Sequence, residues 1–143
     1  MSAENKAIMQ RYFEEAWNKG NLSVLDEIVS PDYVNHNPPV PGLPPGPEGL
    51  KPVFQAGRAA FPDLHYTIEE QIADGDKVVT RWTSRGTHRG ELMGIPATGK
   101  QVNITGIHIA RIVGGKIVEH WRQSDDLGML QQLGVVPSPG QSS

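Results

Sequence analysis

The chain is 143 residues long, with 13 Lys and Arg against 16 Asp and Glu and a net charge of −3; that is one domain's length and no basic excess for a nucleic-acid partner. It contains no cysteine, which excludes disulfides, thiolate metal sites and thiol nucleophiles. Charges run through the first twenty residues and no apolar run approaches ~18 residues, so a soluble cytoplasmic protein with no signal peptide and no membrane contact is expected.

In chain order, Met9, Tyr12, Phe13, Ala16 and Trp17 recur at helical spacing and predict a first helix with one apolar face, stopped by Gly20. Asn21 is placed to cap a short second helix that turns Leu22, Leu25, Ile28 and Val29 inward and ends before Pro31. Residues 38–47 hold six of the twelve prolines, a stretch too short for a linker and suited to a stiff loop or lid. Leu50, Val53, Phe54, Gly57, Ala60 and Phe61 predict a third helix, with Pro52 in its first turn, where a missing N–H costs little.

From residue 64 the hydrophobic period changes to two. Residues 64–73, the hairpin signal Asp74-Gly75 and the run from Val78 to Thr83 predict one strand pair. Residues 102–112, Gly114-Gly115 and Lys116–Ser124 predict another. The fold class expected is α+β, a curved antiparallel sheet packed on one face against about three N-terminal helices. One domain is expected over residues 3–134, followed by a disordered tail over 135–143.

Several motif-like features carry no chemistry. Residues 94–101 nearly spell a phosphate-binding loop but lack the final Ser or Thr, and a strand rather than a helix follows, so a turn between strands is expected. His36, His65, His88, His108 and His120 show neither HExxH nor a close pair, and no metal is expected. No G-x-S-x-G elbow frames a serine nucleophile.

The last hairpin is the most suggestive segment. A two-residue Gly114-Gly115 loop would set His108 opposite Trp121, Gly106 opposite Gln123 and Ile104 opposite Asp125. One face would then combine apolar side chains with an imidazole, an amide and an acid, the mixture expected of a small-ligand pocket. A three-residue loop would instead pair His108 with His120 and send Asp125 to the other face. Of the two adjacent acids, Asp126 is expected to cap the closing helix and Asp125 to face the pocket.

The chain resembles the SnoaL-like polyketide (ester) cyclases of the nuclear-transport-factor-2-like superfamily, whose fold is a cystatin-like cone. The resemblance is carried by residues 33–38, 45–49, 60–64, 81–88, 93–100 and 115–128, within a span from residue 7 to 134. It implies a conical pocket, a homodimer, and ring closure by intramolecular aldol chemistry with neither metal nor cofactor. It also implies an acid/base aspartate four residues after Trp121, which is Asp125, assisted by a histidine for which His108 is the candidate. His36, His88 and Trp121 match recurrent family positions expected to line the pocket, and Trp17, Tyr33, Trp82 and Gln123 join them in the expected substrate-binding set. The double acid Asp125-Asp126, where the family usually shows one, leaves both as candidates.

Two classes of function are compatible with these residues. One is a cofactor-free cyclase, lyase or isomerase acting on a small apolar carbonyl compound, with epoxide hydrolysis as a variant on the same fold. The other is a non-catalytic ligand-binding or assembly module. An Asp125 that only caps the terminal helix would favour the second.

Overall fold

The computed structural model describes residues 2–38 and 41–137. Helix α1 (Ser2–Arg11) runs on as a π-helical segment (Tyr12–Asn18) and is followed by α2 (Ser23–Ile28), strand β1 (Val29–Asn35), α3 (Pro47–Ala60), β2 (His65–Asp74), β3 (Lys77–Thr87), β4 (Gln101–Val113), β5 (Lys116–Ser124) and α4 (Asp126–Leu133). The strands form one sheet in the order β1-β5-β4-β3-β2. Neighbours are antiparallel except β1, which runs parallel to β5. This is the α+β cone that the sequence predicted, with a fifth strand added.

The added strand begins at Val29, which the helical pattern had assigned to α2. Pro31 discourages a strand reading, yet β1 is an edge strand with a register shift between Val29 and Val34. An edge or a bulge is where a residue without an N–H is tolerated. Asn21 does not cap α2 through its side chain: Leu22 holds the N-cap position, and Asn21 Oδ1 accepts a hydrogen bond from Ser23 Oγ at 2.6 Å. In α3, Pro47 takes the first turn, so Pro52 sits inside the helix rather than at its start.

The helical side chains read as inward are buried: Met9, Tyr12, Phe13, Ala16 and Trp17 from the first helix, Leu50, Phe54 and Ala60 from α3. They meet the alternate residues of the sheet, above all Val102, Ile104, His108, Ala110 and Ile112 of β4. Trp17 stacks on Phe54 with ring centres 3.9 Å apart. Asn18 then ties the helix to the sheet, because its side chain donates to the Tyr66 carbonyl at 2.9 Å and accepts from the Tyr66 N–H at 2.7 Å. The near-phosphate loop is a connection between β3 and β4, held by Thr98 N–H donating to His88 Nδ1 at 3.2 Å and Gly99 N–H donating to the His88 carbonyl at 2.8 Å. No described helix is long and apolar enough to cross a membrane. Of the expected tail, residues 135–137 are described and 138–143 lie outside the described residues, as do Pro39 and Val40 of the proline-rich loop.

Candidate active site

The geometry of the site is decided by one extra residue in β5. Gly114 and Gly115 both have positive φ, 59° and 78°, and form the expected two-residue turn with Val113 opposite Lys116. The register then slips: Ile112 faces Ile117, but Arg111 faces Glu119. Val118 is a bulge, and every later side chain of β5 changes face relative to a regular ladder. His108 therefore lies opposite Arg122, not Trp121, and Gly106 opposite Ser124, not Gln123. His120 and Arg122 point to the concave side, while Trp121 and Gln123 go to the outer side.

On the concave side, His108 is 1% exposed and neither ring nitrogen has a hydrogen-bond partner. Its ring is enclosed by Tyr12 at 5.2 Å, Phe13 at 5.6 Å and His120 at 4.3 Å between centres. His120 is buried in turn and hydrogen-bonded through Nδ1 to the Tyr33 hydroxyl. Trp82 lies beside them, 4.9 Å from Tyr66, with the Arg122 guanidinium 5.2 Å from its ring and its own Nε1 unpartnered. The Arg122 charge also acts on the Tyr66 phenol, opposing the rise that burial causes.

Burial dominates the electrostatics of this chamber. It pushes His108 well below the usual imidazole range, reinforced by the charges of His120 and Arg122. It pushes His120 down to about 3, again with help from Arg122. Both rings are thus neutral near pH 7, each with one N–H to donate and one lone pair to accept. Burial likewise raises Tyr12, Tyr33 and Tyr66, so the three phenols stay protonated. This cluster combines apolar rings with a few polar groups, the mixture found in small-ligand sites, and it is closely packed: a hollow of about 240 Å³ that borders it at Tyr33 is otherwise lined by residues of β1, the proline-rich loop and α3.

A match to the family model described as SnoaL-like polyketide cyclase covers residues 7–133. The nogalonic acid methyl ester cyclase of Streptomyces nogalater is 33% identical over 120 residues, 83% of this chain and 90% of that protein. The aklanonic acid methyl ester cyclase DnrD of Streptomyces peucetius is 34% identical over 130 residues, 87% of each chain. TsrD from Streptomyces laurentii superimposes with a TM-score of 0.86 at 31% identity, covering 95% of this chain and 98% of its own. The chain belongs to the SnoaL-like polyketide cyclase family.

Within this SnoaL-like chain the residues expected at the site separate into groups. His108, Trp82 and Tyr33 gather at the chamber, with Trp17 joining through Tyr66 at 5.2 Å. His36 and Trp121 instead stack on each other outside it, ring centres 4.7 Å apart and nearly parallel. His36 Nε2 lies 2.8 Å from Glu119 Oε2, and Glu119 accepts from Arg111 Nε at 2.6 Å. Gln123 is exposed on the same outer face. The expectation that these three line the pocket is corrected: the Val118 bulge puts Trp121 and Gln123 on the outer side, and His36, just past the end of β1, stacks on Trp121 there. His88 is buried far along the sheet against Phe61 and Thr98 rather than beside His108.

Neither acid takes the role expected of it, and both are exposed. Asp125 is the N-cap of α4: it is exposed, and its Oδ1 accepts the Gly128 N–H at 2.9 Å. Asp126, expected as the cap, is the first residue of α4 and accepts from Ser124 Oγ at 2.8 Å. Arg122, Tyr12, Tyr66 and His120 are the chamber residues that sequence reasoning did not assign to the site. The signal for Tyr12 was present, since it lies on the same helical stripe as Trp17; the signal for Arg122 and His120 was not, because nothing in residues 116–124 announces the bulge. Outside the chamber, the hollow of about 240 Å³ runs beneath the proline-rich loop, bordered by Val34, Leu43, Pro44, Leu50 and the outer side of Tyr33. Among the described residues, no three His, Asp or Glu side chains group so as to hold a metal ion.

Proposed function

We propose that this chain is a cofactor-independent cyclase that closes a ring in a small, largely apolar polycarbonyl compound by intramolecular aldol addition. Family membership supplies the reaction class, and the observation that carries the reading to this chamber is His108, buried and neutral with both nitrogens unpartnered beside Trp82 and Arg122. A carboxylate at the end of β5 takes the proton from the carbon α to one carbonyl, and the enolate carbon adds to a second carbonyl of the same molecule. The new carbon–carbon bond leaves an alkoxide, which recovers the proton from the carboxylic acid, so nothing is consumed. His108 donates to the enolate oxygen, while the aromatic walls hold the chain folded near its closed geometry. The carboxylate is assigned to Asp125 by its spacing from Trp121; one hydrogen bond to Gly128 leaves its second oxygen available.

His108 is 1% exposed, and the hollow beneath the proline-rich loop reaches its cluster at Tyr33, whose hydroxyl is hydrogen-bonded to His120. The chain is further proposed to work as a homodimer through the outer face of the sheet, where Ile107 and Ile72 are 47% and 55% exposed. The test is turnover of aklanonic or nogalonic acid methyl ester by the purified chain in the presence of a chelator, followed by chromatography for an isomer of unchanged mass. Retained turnover supports the reading; no cyclised product from any 1,3-dicarbonyl substrate of this class sinks it. The exposed, capping position of Asp125 favours the second reading, a ligand-binding module without turnover, which would bind such compounds and return them unchanged.

A further inference from the structure

We infer that Arg122, together with the Trp82 Nε1–H and the His108 N–H, forms an anion-binding site that takes the substrate as the enolate of a 1,3-dicarbonyl unit. The inference rests on the cyclase reading for its occupant, and it adds the charge state and the functional group that the site selects. Three observations converge on it.

The chamber is rich in donors. The indole N–H of Trp82 can only donate and has no partner at 1% exposure. The cross-strand pair His108 and Arg122 contributes an unpartnered imidazole and a guanidinium with five N–H groups. Second, the guanidinium is held in place. Its central carbon lies 5.2 Å from the centre of the Trp82 ring, and the strand that carries it is tied to Asn37, whose Oδ1 accepts the Arg122 backbone N–H at 2.7 Å. Third, its charge is not neutralised. Among the described residues, no carboxylate stands within ion-pair distance of Arg122. The titratable groups facing it are Tyr12, Tyr66, His108 and His120, all uncharged at neutral pH, with Asp126 beside Tyr66.

A lone ketone would leave this cation unmatched. The two oxygens of a 1,3-dicarbonyl enolate share one negative charge and present a planar fork to a planar guanidinium. Such a substrate also carries the most acidic carbon-bound proton available to a carboxylate base, so the site that binds the anion assists its formation.

Benzoylacetone is a suitable probe, because its enol and enolate differ in ultraviolet absorption. Titrated with the wild-type chain in excess, its ionisation should move to lower pH by about one unit or more, which is a tenfold or greater preference for the enolate. R122M and R122Q should remove that shift, and R122K should retain part of it. Butyrophenone, which has a single carbonyl, should bind wild type and R122M alike. A wild-type titration with no shift, or with a shift to higher pH, overturns the inference without need of any variant, and so does a shift that survives R122M. Turnover of aklanonic acid methyl ester separates the two ideas. A shift without turnover removes the cyclase reading and keeps the anion site; turnover without a shift does the reverse.

Discussion

Trp82 lies across Gly106 on the neighbouring strand: a Cβ at residue 106 would stand 2.2 Å from the indole Cζ2. Glycine there is a steric requirement of the chamber, since it lets the indole lie flat on the sheet beneath Arg122. Gly106→Ala should push the indole off the sheet and destabilise the chain by about 1–3 kcal/mol, the usual cost of overpacking. Denaturant midpoints measure that loss. Tryptophan fluorescence should change with it, and an unaltered midpoint would mean that the indole moves aside at no cost.

The sequence was most readable where one physical rule acts alone. The stripe from Met9 to Trp17 and the glycine turns at residues 75 and 114–115 follow from helical spacing and positive φ, and both appear as expected. Strand β1 was not readable because its stability comes from parallel pairing with β5, a partner more than eighty residues away, while its local sequence contains Pro31. Which side chains turn inward was legible where alternation alone decides it, and not where register does. His108, Trp82 and Tyr33 are set by alternation and family spacing. The side that Trp121, Gln123, His120 and Arg122 occupy depends on a single bulged residue, Val118, which curves the sheet around the helices and has no signature in its own side chain.

The capping position of Asp125 lets stability and catalysis be measured apart. Asparagine is as good an N-cap as aspartate, whereas alanine is poor. Asp125→Asn should therefore leave the denaturant midpoint nearly unchanged and abolish turnover, if Asp125 is the acid/base. Asp125→Ala should in addition lose about 1 kcal/mol. Asp126→Asn serves as the opposing arm: if it stops the reaction while Asp125→Asn does not, the acid beside Tyr66 is the one that moves the proton.

The outer sheet face carries its own prediction. Ile107, Ile72 and half-buried Ile109 project there with Trp121, and a homodimer would cover them. Sedimentation equilibrium should return twice the chain mass for the wild type. Ile107→Glu, which changes no chamber residue, should return the monomer with an intact fold. A monomeric wild type at micromolar concentration rejects the interface.

Acid stability follows from the two buried imidazoles. Both His108 and His120 are held below the ordinary value of 6.5, His120 down to about 3. Between those limits the unfolded chain binds protons that the folded chain refuses, so unfolding is favoured as pH falls. The stability these groups contribute is complete above about pH 6.5 and is lost progressively toward pH 3, at no more than about 1.4 kcal/mol per pH unit for each ring. Asp63 and Glu119, whose carboxylates are held below their usual range by hydrogen bonds from Thr87 and Arg111 respectively, act in the same direction at the acid end. Comparison with a variant isolates the imidazole part. Urea midpoints of His108→Gln should fall less steeply than those of the wild type between pH 6.5 and 4, because glutamine cannot titrate. Parallel curves would mean that His108 accepts a proton in the folded chain, and a steeper curve for the variant would reverse the sign of the argument.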